Sequence, residues 1–553
     1  MEPLEAPSPR TTRLESLIQE PLDVLVVGGG ITGCGVTHDL TLRGLRVGLV
    51  EKGDWAAATS SASSRLVHGG LRYLEQLEFG LVRESCLERG LLLQNAAGIV
   101  WPEHFTFPVR RGDRTGLLKL AAGLGLYTLI SIPRVLGLPR LVSKRTVRRY
   151  VPGIDTRRLK GGGAYLDGAT DDSRLTLSVV TTALGAGALA VSRVEVLGIE
   201  TSTSGVEARV LDGITGEEHA IRASMVVLCG GPFTDLLRAR AGLSGSWVRP
   251  TRGSHVLVPR DKLPTDGAVI FPSSLDGRIM FLIPWPRYTV VGTTDLDASV
   301  DEAVHATRDE VRYLLDSANA LTPTARLEEG DVVSTWAGLR PLLAGEGQDP
   351  SARSREERIQ RDGPVWTLAG GKLTGYRWMA ELLGSRLCAE LGRGDPARRS
   401  PTRRARLRGA FPRPVERPGW SALAADGRPA SGREPLAHAW SRRYAARTRE
   451  VEGFCRRMEG GRRSLDEETL LGEVDWAVAQ EDCLTATDFF FRRTDLGYGP
   501  RPTAAEAVAP VLERLAGRLG WNAERSGLER ERLEAALTRV HAWRGPREAV
   551  AAS

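Results

Sequence analysis

The chain is predicted to be an α/β protein in three parts: a parallel sheet with flanking helices, an antiparallel substrate sheet, and a helical C-terminal domain. Three observations carry this. LDVLVV at 22–27, GGGITG at 28–33 and a helix-like run to Arg43 read as strand, turn and helix. RGSHVLVP (252–259), RIMFLIPW (278–285) and YTVVGTTD (288–295) are alternating or apolar β runs. After about Asp395 the composition turns to Arg, Pro and Ala, as in RRSPTRRARLRG at 398–409, and then becomes helical.

Each element follows from its residues. The run Leu22–Val27 suits a buried parallel strand. Gly28, Gly30 and Gly33 stand at G-x-G-x-x-G spacing. The first serves a tight turn, the second a close approach to a pyrophosphate, the third helix–strand packing, with Ile31 and Thr32 between them. The next helix, roughly Thr32 to Arg43, aims its N-terminal N–H groups at the phosphates. A second strand, Arg46 to Val50, ends at Glu51, placed to accept ribose hydroxyls. Together these predict a Rossmann-like site for an adenine dinucleotide, without separating FAD from NAD. TSSASSRLVHGGLRYLE at 59–75 follows and gathers hydroxyls, a His, two Arg and a Tyr. SMVVLCGGPFTD (224–235) reads as a late strand of the same sheet with a turn at Gly230. WTLAGGKLTGYR and the helix after it (366–392) return to the cofactor.

The bulk properties narrow the classes. With 553 residues the chain holds two or three domains. A net charge of +7 mildly favours anionic small molecules or lipid head groups, and no basic stripe interleaved with aromatics points to nucleic acid. The six cysteines are scattered without a C-x-x-C pair, and the carboxylates show no ligand spacing, so no metal site or disulfide framework is expected. No signal peptide and no apolar run of membrane-spanning length is seen. The expected location is cytoplasmic. Thr115 to Leu138, rich in Leu, reads either as a buried helix plus loop or as a helix docking into a membrane interface, with Lys119, Arg134 and Arg140 at its borders.

Several motifs now justify a comparison. SSASSRLVHGGLRYLE, YLDGATDDSRL, RGSHVLVP, IPWPRYTVVGTTD, WAGLRPLL, SREERI, GGKLTGYR and EDCLTATDFFFRRTDLG occur in order along nearly the whole chain. In these the sequence resembles the FAD-dependent, quinone-linked aerobic glycerol-3-phosphate dehydrogenases. The resemblance implies FAD as cofactor and a D-amino-acid-oxidase-like α/β fold, with a Rossmann-like FAD-binding domain, a mixed β substrate domain over the flavin and a helical C-terminal domain. It divides the chain into a flexible segment 1–20, an oxidoreductase region 21–395 and a linker with a helical domain, 396–553. Within the second part, FAD-binding segments at about 21–110, 160–240 and 350–395 would alternate with substrate-domain segments.

The implied reaction is oxidation of sn-glycerol 3-phosphate to dihydroxyacetone phosphate by hydride transfer to FAD, with electrons passed to a membrane quinone. The implied setting is peripheral, on the inner face of the cell membrane. A glycerol-3-phosphate oxidase using oxygen and producing hydrogen peroxide is the alternative. No long polar insertion in the substrate domain supports it. An amine oxidase would not need the cluster of Arg, and a non-enzymatic flavoprotein would not keep it. Phosphate recognition calls for guanidinium forks or ammonium groups, each charged hydrogen bond contributing roughly 1.5–3 kcal/mol.

The residues implied for substrate are Arg72, Tyr73, His255, Arg340, Arg355 and Lys372, with His255, Arg340 and Lys372 catalytic. His255 is the candidate base, its ordinary pKa of roughly 6.5 suiting proton abstraction. The residues implied for cofactor, beyond the turn and Glu51, are Thr59, Ser60, Ser61, Ser64, His68, Gly69, Gly70, Gly230, Gly371, Lys372, Leu373 and Thr374. Asp171, Asp172 and Arg174 are expected to hold the fold. Gly375 stands where the family usually has Thr, and Glu357 where His is common. Oligomeric state is open, a homodimer among the options.

Overall fold

The computed structural model describes residues 9–74, 77–132, 134–203, 205–301, 304–344, 357–393, 400–414 and 435–545. Two sheets face a shared interior. The first is built on parallel strands: Leu22–Val27 is flanked by Val47–Glu51 and Glu218–Leu228, with Leu189–Ser192 and Val365–Gly370 beyond. An antiparallel ribbon, Val194–Ser202 and Gly205–Asp212, extends it. The central strand is buried along its whole length, which is why it reads as an unbroken apolar run. The helices Ile31–Leu42, Asp172–Gly185 and Tyr376–Leu391 pack together against this sheet. Asp171 caps the second of them by accepting the Arg174 N–H.

The second sheet has ten strands and is mixed. Its centre is antiparallel, Thr251–Pro259 lying between Tyr288–Gly292 and Ser334–Arg340. The pair Ala268–Pro272 and Val100–Arg110 is parallel. Two assignments need correction here. Val100–Arg110 and Leu159–Thr170, expected in the FAD-binding segments, pair with each other in this second sheet. The first is rich in aromatic residues and the second in Gly, and neither pattern selects one sheet; the long-range pairing decides.

The N-terminal segment also differs from expectation. Residues 1–8 lie outside the described region, but Pro9–Gln19 is a helix whose Leu14 and Leu17 are buried against the first sheet. Its Arg10 makes a bidentate pair with Asp212 at 2.7 and 3.2 Å. The polar, Pro-containing sequence hides a helix that depends on tertiary contact.

The C-terminal domain is helical apart from one small hairpin, and its core centres on Phe489, Phe490 and Val511. It is clamped to the first domain by buried ion pairs. Arg174 meets Glu481 through two hydrogen bonds of 2.8 and 2.9 Å, and Arg493 meets Asp54 at 2.7 and 2.9 Å. The same domain reaches the second sheet, where Thr335 N–H and hydroxyl both donate to the Val540 carbonyl.

Candidate active site

The two sheets enclose one cavity of about 1550 Å³. Pockets for a single small ligand usually measure roughly 300–1,000 Å³, so this one has room for an extended cofactor and a substrate. It runs from the Gly-rich turn to the second sheet.

At the first end Gly28 holds a left-handed φ of +114°, and a Cβ there would lie 2.4 Å from the Cys229 carbonyl. Gly33 is beneath the turn rather than in the cavity: a Cβ would meet the Gly28 carbonyl at 1.9 Å. Gly30 precedes the helix without a side-chain cap, so the first-turn N–H groups face open space, save that of Ile31, which donates to Ser60 Oγ at 2.9 Å. Glu51 accepts N–H bonds from Gly29 and Gly53 at 2.6 and 2.7 Å, and burial raises its pKa. Its remaining lone pairs suit ribose hydroxyls. Lys52 and Phe233, with Val194 and Val196, wall this end. The glycine cradle, the open helix start and the acceptor carboxylate together fit an adenine dinucleotide.

The predicted groups converge along this cavity from one end to the other. Gly28, Gly30, Ile31, Thr32, Glu51, Thr59, Ser60, Ser64, His68, Gly70 and Gly230 line the cavity, as do His255, Arg340, Gly371, Lys372, Leu373 and Thr374. Ser61 does not line it; its hydroxyl returns to the Ala58 carbonyl. Gly69 is packed behind, where a Cβ would strike Tyr127 Oη at 2.1 Å. Its N–H donates to Asp167, which Arg89 and Tyr127 also bind, at 2.9 and 3.0 Å. This buried triad sets the His68–Gly70 turn. Tyr73 is likewise buried rather than cavity-lining: its ring lies under the Lys372 ammonium, 3.9 Å from centroid to Nζ. Such a face holds a cation by its quadrupole. The Arg72 side chain and all of Arg355 lie outside the described residues.

Arg340 projects from its strand across Gly253. It donates to Asp295 at 2.8 Å, to Thr293 Oγ1 at 2.9 Å and to the Thr294 carbonyl at 3.0 Å. His255 Nε2 is 2.8 Å from Ser64 Oγ, and its ring stacks on Trp336 at 5.1 Å between centroids. Burial, then the Arg340 and Arg65 charges, push the His255 pKa down to about 3. The sequence expectation of titration near neutrality is therefore corrected: the ring is neutral at pH 7.

Thr293, Asp295, Gly253 and Trp336 were missed as site residues although all stand in quoted motifs. Their signal was present, but only pairing of strands 251–259, 288–292 and 334–340 brings them together. Among the described residues no group of His, Cys, Asp and Glu is arranged for a metal.

A dinucleotide cradle joined to a cationic pocket with a buried His defines an oxidoreductase with a bound adenine dinucleotide. The comparisons specify it. A family profile described as FAD dependent oxidoreductase matches residues 23–384, and one described as C-terminal domain of alpha-glycerophosphate oxidase matches 400–526. Aerobic glycerol-3-phosphate dehydrogenase of Staphylococcus epidermidis is 39% identical over 381 residues, covering 67% of this chain and 68% of that protein. The Staphylococcus aureus protein of the same name is 36% identical over 387 residues, or 68% of this chain and 70% of that protein. The crystal structure of glycerol-3-phosphate dehydrogenase from Bacillus halodurans complexed with FAD superimposes with a TM-score of 0.77 at 28% identity, covering 96% of this chain and 97% of that one. L-alpha-glycerophosphate oxidase from Mycoplasma pneumoniae shares the fold at 20% identity, TM-score 0.53, over 68% of this chain and 95% of that one. The chain belongs to the FAD-dependent oxidoreductases, in the glycerol-3-phosphate dehydrogenase and oxidase family. It is an enzyme, and its cofactor is FAD.

Proposed function

We propose that this enzyme oxidises sn-glycerol 3-phosphate to dihydroxyacetone phosphate and delivers the electrons to a membrane quinone. The observation that carries the substrate reading is the meeting of Arg340, Lys372 and the Ser64–His255 pair at one end of a cavity whose other end is a dinucleotide cradle. FAD, when bound, supplies the acceptor for the hydride. The cradle residues named above, with Gly371, Leu373 and Thr374, would hold it.

Arg340 and Lys372 supply charge for a dianionic substrate, and Arg72 in HGGLRYLE and Arg355 in SREERI are the further candidates that the resemblance implies. His255 is the proton acceptor for the carbinol hydroxyl. Its neutral ring is in the base form throughout the physiological range. A dianion entering beside it opposes the two guanidinium charges and raises its basicity.

The quinone reading is supported by the helix Leu117–Ile130. Leu120, Leu124 and Tyr127 are buried, and Leu120 and Leu124 line the cavity. The opposite side exposes Leu118 (87%) and Leu129 (66%), and Leu138 (82%) continues the apolar surface. One helix thus joins the cavity wall to a lipophilic face that suits a membrane surface. No helix among the described residues is long and apolar enough to cross a membrane.

The test is anaerobic. Adding sn-glycerol 3-phosphate to the yellow holoenzyme should bleach its flavin band, and a short-chain quinone should restore it faster than air. A band that stays oxidised sinks the substrate reading. Reoxidation by air alone, with peroxide released, supports the oxidase instead.

A further inference from the structure

Arg65 follows Ser64 directly, and the chemistry above gives it no task. Its backbone is left-handed, with φ +57°, unusual for a residue with a side chain. Its guanidinium is buried among three aromatic rings, 4.1 Å from the centroid of Trp285, 5.1 Å from Trp336 and 5.8 Å from Tyr498. Three carboxylates face it: Asp495 at 3.4 Å, Asp171 at 3.8 Å and Asp172 at 3.9 Å. The two aspartates of the 171–172 pair belong to the first domain. Asp495 comes from the C-terminal domain, where Arg442 also binds it at 2.7 Å. Arg442 lies 4.4 Å from the same Trp285 ring.

Two routes lead from this cluster to the reacting residues. Trp336 carries one: its ring meets both Arg65 and His255, and its Nε1 donates to the Ser63 carbonyl at 3.2 Å. The Ser63–Ser64–Arg65 backbone carries the other. Asp172 accepts from Ser63 N–H and hydroxyl at 2.9 and 2.7 Å, which fixes the segment from which Ser64 reaches His255. Ser334, on the Trp336 strand, donates to the Tyr498 carbonyl at 2.7 Å, and Tyr498 meets the Trp336 ring edge-on at 5.5 Å.

We propose that Arg65 is a positioning residue for the Ser64–His255 pair and that Asp495 holds Arg65, so that the C-terminal domain completes the catalytic site. Arg65 acts through Trp336 and the Ser63–Ser64 backbone. The inference rests on the reading of His255 as proton acceptor. A planar cation on a ring face is worth roughly 0.5–2 kcal/mol and has a direction, so Lys is a poor substitute although it keeps the charge. The charges that bear on the pair are those of Asp171, Asp172, Asp495 and Arg442 around Arg65, with Arg340 on the cavity side of His255. Loss of the Arg65 charge therefore favours protonated His255.

The experiment compares holoenzyme variants Arg65→Lys, Arg65→Met and Asp495→Asn. The control is Arg287→Gln, which loosens another contact of the C-terminal domain, the ion pairs of Arg287 with Asp466 and Glu468. Arg65→Lys is expected to lower kcat about 10- to 100-fold, the scale of an ångström-sized misplacement, with KM changed far less. Asp495→Asn lowers kcat in the wild-type background but adds nothing to Ser64→Ala. Arg65→Met moves the acidic limb of kcat/KM to higher pH. Arg287→Gln keeps wild-type kcat.

A second readout does not depend on turnover. In ¹⁵N-histidine-labelled holoenzyme at pH 7, the His255 resonances move in Arg65→Lys and stay in Arg287→Gln. Unmoved His255 resonances in Arg65→Lys overturn the inference, as does an Asp495→Asn effect that multiplies fully with Ser64→Ala. If Arg65→Met does not fold, Arg65→Lys and Asp495→Asn decide. A wild-type enzyme that sn-glycerol 3-phosphate does not bleach overturns the substrate reading alone, and the resonances then judge Arg65.

Discussion

Gly253 offers a sharp test of the site because it is not a reacting residue. A Cβ at this position would lie 2.3 Å from Arg340 Nη2, 2.6 Å from Cζ and 2.7 Å from Nη1. Comfortable contact between such atoms is about 3.5–4.0 Å, so Gly253→Ala must push the guanidinium away by roughly 1 Å. The obstacle is the end of a flexible side chain rather than backbone, so the strand can keep its place. Gly253 is held in the strand by its pairing with Gly338, and Gly→Ala in a compatible backbone even stabilises by roughly 0.4–1 kcal/mol through the unfolded chain. Displaced Arg340 loses its bonds to Asp295, Thr293 and Thr294 together. A 1 Å misplacement at a reacting centre costs about 100-fold in rate. Gly253→Ala should therefore fall about 100-fold in kcat/KM for sn-glycerol 3-phosphate, measured by dye reduction, while its thermal midpoint and FAD content stay near wild type. A variant with unchanged kcat/KM would falsify the assignment of Arg340 to substrate or transition-state contact.

Other consequences follow from the same geometry. Gly33→Ala places a methyl 1.9 Å from the Gly28 carbonyl, and that backbone cannot yield, so the purified protein should be colourless or insoluble; a yellow, stable variant would refute the cradle. Arg174→Met takes from buried Glu481 its two-bond partner and leaves it only Trp476 Nε1 at 3.3 Å and the Arg493 guanidinium at 3.7 Å, which should cost roughly 1–3 kcal/mol and appear as a lowered denaturation midpoint, whereas little change would show the clamp to be dispensable. His38, His255 and His541 are held neutral, with pKa values pushed down to about 4, 3 and 4, mainly by burial. Their folded values lie below the unfolded 6.5, so unfolding takes up protons below that pH; stability is fully present above pH 6.5 and is lost as pH falls towards 4. Thermal midpoints at pH 7.5, 6 and 5 should decline in that order, and His38→Gln should flatten the decline. Leu118→Glu with Leu129→Glu should abolish co-sedimentation with anionic liposomes at low salt and leave flavin bleaching intact; unchanged sedimentation would remove this helix from the membrane reading.

Much of the first domain was legible in the chain because its signals are local. A Gly that makes a turn, a helix that starts after it and an acid at the next strand's end occupy neighbouring positions, and Gly28, Gly30 and Glu51 stand in the structure where spacing put them. The resemblance carried His255, Arg340 and Lys372 to one cavity for the same reason, each sitting in a short, distinctive motif.

What the chain could not show is what depends on elements far apart in sequence. Tyr73 reads as a ligand from its motif, yet packing turns it under Lys372, 299 positions on. His255 reads as a neutral-range base, yet burial and the guanidinium groups of Arg340 and Arg65, brought from distant segments, lower its affinity for a proton. The helix at 9–19 has too weak a pattern to declare itself and exists because Leu14 and Leu17 meet the first sheet. Local sequence determined the cofactor cradle and which residues are candidates for the reacting groups. Tertiary structure alone decided their orientation, their charge state and the reach of the C-terminal domain into the site, because dielectric environment and side-chain packing are sums over neighbours that the chain order does not contain.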